Sequence, residues 1–513
     1  MNEMKTAADP SKKNLPYGGY YQNQIPAHDP FLTETGPGTP TGDFLRRFWH
    51  PVCMSEELKE VPRFLMILGE ELVAFRDGSG QVGVLHAHCS HRGASLEYGM
   101  IKERGIMCSY HGFRFDVDGS CLEVPMPTGE EEEGRRLAKT ICQGAYKAIE
   151  QHGLVFAYMG PPEEEPPFPY WEEDFTCHPD DKLVPFSNVQ TCNWLQVQDN
   201  AADQFHHTPL HTTALIEGYE QGTTFGEAGA AAYVIRPDLQ FFPVHEGRSM
   251  AWTSSRRVDD DYLFIRINHQ ILPNVSFHSY LFEDGKASKH FSRIHMYRWT
   301  VPIDDTTCKM IGWRAIGPNI DPRDVGNESL VGFEKIDFLE GQCGIRRPER
   351  ATYDEDDLPV PPKHHRERDC YRDSQRAPGD YEATASQRPI AVHALENPMK
   401  FDGGVYLSRK QLRDAVTERN EKATGAGWKE WLESVDGKPN TYCSGNVLKV
   451  PIGDSAEEEV ERRRVVAQRC IQAITDADEM PSAERDAFIK NKMAEIEYFY
   501  AVYSGFAYLG SKR

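Results

Sequence analysis

The sequence predicts an α+β chain: a small antiparallel β domain, a larger domain combining an antiparallel sheet with helices, and a helical C-terminal extension. Three observations predict it. Between residues 64 and 125 short strand-forming runs (FLMILG, ELVAFRDG, QVGVLHAH, FRFDVDG) are separated or closed by the turn pairs Asp77-Gly78 and Asp118-Gly119. Farther along, AAYVIRP, YLFIRINHQILP and HFSRIHMYRWTVPID alternate apolar and polar residues, as strands with one buried face do. In the last region Ser455 and Glu458 form a capping box, and Glu458–Arg462 and Glu459–Arg463 are spaced to pair across one helical turn.

Taken in order, residues 1–35 are polar and rich in Tyr, Pro and Gly, and read as an arm that packs on a neighbour or stays mobile. The β domain occupies 36–165, opening near TGDFLRRFWHP and closing at PPEEEPPFP, where clustered prolines interrupt regular structure. The larger domain spans 166–425 and opens with a helical stretch from Asn193 to His211. Within it, the charged, proline-bearing segment 346–380 reads as a long loop; loops of that length are uncommon unless they cover a site or an interface. Residues 426–513 form the extension, which resembles a docking element more than a catalytic one.

Composition excludes several classes. With 513 residues the chain can bury two or three cores, and 39% hydrophobic residues describe a globular protein. A net charge of −22 argues against nucleic acid or an anionic membrane as partner. No apolar run reaches the length of a bilayer span, and the N-terminal residues lack a secretory pattern. Twelve cysteines over this length are too sparse for a disulfide scaffold. A cytoplasmic location is expected.

The chemistry is concentrated in HAHCSHRGASLEYGMIKERGIMCSYHGFRF, which holds Cys89-x-His91 and Cys108-x-x-His111. Two thiolates and two imidazoles on paired loops are the ligand set of a Rieske [2Fe–2S] centre, with the histidines on one iron and the cysteines on the other. Cys89 and His91 project to the same side of an extended loop, and Gly93 and Gly112 let each loop turn sharply after its histidine. Structural zinc sites more often use Cys-Cys and His-His pairs. His86 and His88, close by, read as strand or surface histidines. A Rieske centre moves one electron at a time, so a second redox site is expected.

That site is sought in NWLQVQDNAADQFHHTPLH, where Asp203, His206 and His211 form Asp-x-x-His-x(4)-His. Two histidines and a carboxylate from elsewhere make the facial triad of a non-haem iron oxygenase. In an ideal helix His206 and His211 diverge by about 140°, whereas His207 and His211 share a face. Pro209 breaks the helix between them, so spacing alone permits either register.

These motifs together resemble the Rieske non-haem iron oxygenases, specifically the oxygenase (alpha) component, and among them the phthalate 4,5-dioxygenase-like and aromatic O-demethylase-like group. GPGTPTGDFLRRFWHPV, RWTVPIDDTT and GDYEATASQRPIAVHALENPMKFDGGVYLSRKQL extend the resemblance from about Thr35 to Arg413. The resemblance implies a helix-grip catalytic domain with His206, His211 and Asp402 as ligands of a mononuclear Fe(II). It implies that Cys89, His91, Cys108 and His111 hold the cluster. It gives Asp203 the role of bridge, linking a cluster histidine of one subunit (His111 in preference to His91) to an iron-ligating histidine of the next, in a homotrimer or a dimer of trimers. Asp199 stands where relatives often carry Glu, and either tunes that bridge or is an exposed helix carboxylate. The chain departs from the family pattern at Ser90, usually Pro, and Phe113, usually Trp; neither ligates metal.

The expected reaction uses dioxygen to hydroxylate, dihydroxylate or demethylate an aromatic substrate. The chain carries no dinucleotide fingerprint and no plant-type ferredoxin cysteine run. Electrons therefore come from a separate NAD(P)H-dependent reductase, with or without an intervening ferredoxin. The alternatives are a Rieske electron carrier without oxygenase chemistry, which would hold two irons rather than three, and a colourless zinc-bearing scaffold.

Overall fold

The computed structural model describes residues 16–168, 182–206, 210, 237–279, 288–292, 294–316, 363–367, 371–376, 378–418 and 441–503. The first unit is a six-stranded antiparallel sheet in the order β1-β10-β9-β4-β3-β2. Its strands are β1 (Trp49–Met54), β2 (Arg63–Ile67), β3 (Glu70–Arg76), β4 (Val82–His86), β9 (Ala145–Gln151) and β10 (Leu154–Tyr158). Beside it lies a four-stranded sheet of short strands, β5 (Met100–Ile101), β6 (Ile106–Met107), β7 (Arg114–Phe115) and β8 (Cys121–Glu123). The run FLMI forms β2, with Leu65 and Ile67 buried while Phe64 and Met66 are only partly so.

The second unit is a nine-stranded antiparallel sheet. Seven strands run β11-β18-β17-β15-β14-β13-β12, namely β11 (Lys182–Gln190), β12 (Asp238–Val244), β13 (Ser249–Arg257), β14 (Tyr262–Ile271), β15 (Val275–Ser279), β17 (Ile294–Pro302) and β18 (Cys308–Ile316). The other two are β16 (Lys289–Ser292) and β19 (Ser444–Lys449), which pair with each other. β15 takes only the last three residues of β14, and β19 pairs with Tyr262–Ile267 of the same strand. The C-terminal region therefore completes the large sheet before turning into the helices α4 (Ala456–Asp476) and α5 (Ser482–Tyr503). Those helices match the expectation, and Ser455 accepts the Glu458 N–H as its cap. The strand ahead of them was not foreseen. Leu263, Ile265 and Ile267 of β14 pack with Val466, Ile471 and Met493 in one core cluster, so the extension covers the outer face of the sheet.

The two units share a core. Trp49 and Phe156 of the first lie in one cluster with Trp299 and Trp313 of the second. Phe156 sits 5.4 Å and 5.6 Å from the rings of Trp299 and Trp313. Hydrogen bonds cross the same boundary: Leu68 and Gly69 N–H donate to Pro302 and Ile303 carbonyls, and Trp313 Nε1 donates to the His152 carbonyl at 2.8 Å. The end of the arm belongs to this body. Leu32, Thr33 and Thr35 are buried, and Thr35 N–H donates to Asp305 Oδ1 at 2.9 Å. Among the described residues, no helix is long and apolar enough to cross a membrane.

The helix that positions the second site, α1 (Trp194–Ala202), is shorter than the stretch Asn193–His211 expected from the sequence. Asn193 caps it, accepting from Leu195 N–H. It stops because Asp203 is extended, at φ −89° and ψ 109°, and turns its carboxylate onto Phe205 N–H at 2.8 Å, a local bond that competes with the helical one. His206 therefore follows a break instead of riding the helix. Of the segment 346–380, residues 346–362, 368–370 and 377 lie outside the described part; within the rest, Tyr371–Arg376 is helical where a loop was expected, and α2 (Asp380–Ala385) begins at its end.

Candidate metal centres

The first centre lies at the tips of two loops built alike. Cys89 N–H donates to the Ala94 carbonyl and Gly93 N–H to the Cys89 carbonyl; in the second loop Cys108 N–H donates to Phe113 and Gly112 N–H to Cys108. Gly93 and Gly112 have φ of 79° and 75°, a left-handed conformation that glycine adopts without strain. The cysteines point inward, 3% and 2% exposed, whereas His91 lies at the surface. The imidazoles of His91 and His111 meet with centroids 4.6 Å apart, and Phe113 stacks on His91 at 4.5 Å. Burial pushes the Cys89 thiol up to about 11, against the N–H groups of His91 and Arg92 that hydrogen-bond its sulfur, while Cys108 adds to the rise. Two adjoining buried thiols, two adjoining imidazoles and backbone donors aimed at sulfur fit a bridged two-iron cluster. His88 is not idle at the surface: its ring bonds Glu71 Oε2 at 2.6 Å and the Gly93 carbonyl at 3.1 Å.

The second centre is built around His206. Its Nδ1 lies 3.5 Å from Asp203 Oδ2 and its Nε2 lies 3.2 Å from Asp380 Oδ1. Burial alone would lower the pKa of this ring; the two carboxylates outweigh it and raise it to about 9. Burial likewise opposes ionisation of Asp203, but His206 and the N–H groups of Phe205 and His206 hold the carboxyl below its ordinary range. Asn200 Nδ2 donates to Asp380 Oδ1 at 3.1 Å, fixing that oxygen from helix α1. An imidazole meeting a carboxylate at each nitrogen suits a divalent cation, with one carboxylate as co-ligand and the other orienting the ring. His207 and His211 lie outside the described residues, so the choice of histidine register stays where the sequence left it. Among the described residues no three His, Cys, Asp or Glu side chains form a metal-holding group. A two-iron cluster takes only two protein donors at each iron, and the second histidine expected at the other centre is His211.

Asp402 is not brought to His206. It stands at the start of helix α3 (Gly403–Glu418), and its Oδ2 accepts Met399 N–H at 2.7 Å. Gly404 explains the approach of this segment: a Cβ there would lie 2.3 Å from the Phe241 ring and 3.0 Å from the Ala202 carbonyl. Asp402 faces the same cavity of about 500 Å³ as Asp203, His206, Asp199, Glu396 and Arg409. The sequence reading missed Asp380, although GDYEATASQRP was one of the stretches that carried the resemblance. An aspartate that opens a short helix after glycine has no local mark of a ligand.

Asp199 is no exposed helix carboxylate. It is 8% exposed, and Arg409 clamps it through Nε at 3.0 and 3.1 Å and through Nη2 at 2.6 Å. The same guanidinium reaches Glu396 at 2.7 and 2.8 Å, and Tyr406 donates to Glu396 at 2.9 Å. Burial raises the Asp199 carboxyl above its ordinary range against the pull of Arg409. This network joins α1 to α3 along one wall of the cavity.

A family model described as the Rieske [2Fe-2S] domain matches residues 48–139. The chain is 40% identical over 486 residues to the tert-butanol monooxygenase / tert-amyl alcohol desaturase oxygenase subunit of Aquincola tertiaricarbonis, covering 94% of this chain and 96% of that one. It is 31% identical to the phenoxybenzoate dioxygenase subunit alpha of Ectopseudomonas oleovorans, covering 80% and 90%. Among solved structures, NdmB of Pseudomonas putida CBB5 shares the fold, with a TM-score of 0.51 at 16% identity over 79% of this chain and 98% of that one. Likeness that runs through both halves of the fold places this chain in the Rieske non-haem iron oxygenases, as an oxygenase component that carries a [2Fe–2S] cluster and a mononuclear iron.

Proposed function

We propose that the chain uses dioxygen to hydroxylate, dihydroxylate or demethylate an aromatic substrate, and that its units divide the work. Residues 36–165 hold the cluster through Cys89, His91, Cys108 and His111, which delivers single electrons. Residues 166–425 hold the iron through His206 and His211, with Asp380 in place of Asp402 as the carboxylate. Iron held there would supply the activation of dioxygen next to the substrate. The observation that carries this reading is the His206 ring set between Asp203 and Asp380.

Each side chain then has a task. Asp380 supplies negative charge and is oriented by Asn200. Asp203, 3.5 Å from His206 Nδ1, is placed to orient that ring, while remaining partly exposed toward the cavity. From there it can accept a second imidazole N–H, that of His111 from a neighbouring subunit, in a homotrimer or a dimer of trimers. A polar set stands on the sheet beside helix α1. Gln270, Ser276 and Arg298 lie in cross-strand register on one face of the large sheet, and Gln270 Nε2 reaches the Gln198 carbonyl of α1 at 3.5 Å. Arg298 is buried, its Nε donates to Ser276 Oγ, and its Nη2 has no partner among the described residues. A carboxylate or ring oxygen on the substrate would satisfy it. Electrons come from an NAD(P)H-dependent reductase, with or without a ferredoxin.

The test is a substrate-dependent oxygen-uptake screen with a surrogate reductase, spanning aromatic acids, methoxylated aromatics, N-methyl compounds and tertiary alcohols, with products identified. Coupled product from an aromatic compound supports the proposal. Turnover of tertiary alcohols alone would overturn the aromatic assignment, and a protein with two irons per chain and no product would favour a plain electron carrier.

A further inference from the structure

The first ligand loop is braced by a side chain outside the ligand motifs. Gln143 lies between the helix Glu131–Ala138 and strand β9 and is 2% exposed. Its Oε1 accepts the N–H of Ser90, the residue between Cys89 and His91, at 2.7 Å. Its Nε2 donates to the carbonyls of His86 and His88 at 2.8 and 2.9 Å. Both amide donors and the acceptor oxygen are thus spent on three backbone groups of a single five-residue stretch.

The amide is itself held in place. Gln143 N–H donates to the Gly119 carbonyl, and the next residue, Gly144, accepts His86 N–H at 2.9 Å. A Cβ on Gly144 would lie 2.2 Å from His86 Nδ1, and one on Gly119 would lie 2.2 Å from the Gln143 carbonyl. These close approaches leave the Gln143 side chain a fixed reach to the loop. The braced residue sits between the ligands Cys89 and His91, and hydrogen bonding and exposure around a cluster are among the levers that set its potential.

We propose that Gln143 is a positioning residue that sets the reduction potential of the cluster, by fixing the backbone N–H groups of the Cys89–Arg92 loop beside it. This rests on the assignment of Cys89, His91, Cys108 and His111 as cluster ligands. N–H donors beside a cluster favour its reduced, more negative state. Loosening them therefore lowers the potential, with a weaker driving force for reduction by the partner protein.

The test uses the full-length holoprotein with Gln143→Leu, Ser90→Pro and the double variant. Iron and sulfide content, the midpoint potential and the paramagnetic spectrum of the reduced cluster are read for each. Proline has no N–H to give, so Ser90→Pro removes one contact while leaving the Gln143 side chain whole. The expected result is full cluster loading, a negative shift of the midpoint potential in both single variants, altered g values, and a double variant shifted by less than the sum of the two. Unchanged potential and g values in fully loaded Gln143→Leu would overturn the proposal. If that variant fails to fold or load, an unchanged potential in Ser90→Pro overturns it equally. Cys89→Ala is the separate control: retention of a Rieske spectrum there would refute the ligand assignment rather than the role of Gln143.

Discussion

Replacing Asp199 by Ala should destabilise the protein through Arg409. In the native structure that guanidinium is held by three contacts to Asp199 and two to Glu396, with side-chain exposures of 12% for Arg409 and 11% for Asp199. Removing one partner of a buried ion pair costs about 3–5 kcal/mol when the other charge is left uncompensated. Glu396 remains and still takes two of the bonds, so the loss should fall at or just below the low end, about 2–3 kcal/mol. Urea unfolding measures it as a lower midpoint at unchanged slope. Arg409→Lys should recover little, because an ammonium cannot reproduce the forked contacts. A cost below about 0.5 kcal/mol for Asp199→Ala, typical of a solvated surface pair, would refute the reasoning.

Two further predictions concern hydrogen-bonded groups elsewhere in the fold. Asn193→Ala removes the cap of α1 and leaves the carbonyls of Thr33 and Asp305 without the donor that reaches them at 2.8 and 2.7 Å; a loss of about 2–4 kcal/mol is expected, read by the same unfolding experiment. Glu70 is desolvated, yet the His86 ring 3.6 Å away and hydrogen bonds from Tyr146 and Arg46 bring its pKa down to about 2. A carboxyl lowered on folding contributes stability above its unfolded value, lost as pH falls from about 4.5 toward about 2. Glu70→Gln should therefore lose about 1–2 kcal/mol near neutral pH, after discounting for partial exposure, and show a shallower decline of stability across that acid window. An unchanged acid profile would count against it.

How much was legible follows from how local each signal is. The cluster loops could be read directly because ligands, glycines and turns lie within one stretch, and the fold repeats the same pair of backbone bonds in each loop. Alternation marked β14 and β17 as strands, but β14 is buried along both faces, so the single buried face it implied does not hold there, and residues 231–236 of the run AAYVIRP lie outside the described residues. The end of α1 was not legible, since Asp203 stops it with a carboxylate-to-backbone bond that competes with helix only in detail. Asp380 and Asp402 lie in one resemblance-bearing segment, and only the packing of α2 against α1, through Asn200, distinguishes them. The strand β19 is six residues long and is recruited by the open edge of β14, a tertiary cause that leaves no periodic trace.

The central claim is that His206 and Asp380 belong to an iron centre distinct from the cluster. Iron per chain, measured alongside the reduced-cluster paramagnetic signal in the parent protein and in Asp380→Ala and Asp402→Ala, tests it most directly. About three irons are expected in the parent, about two in Asp380→Ala with the cluster signal intact, and about three in Asp402→Ala. Full iron and turnover in Asp380→Ala, with loss of one iron in Asp402→Ala, would contradict it.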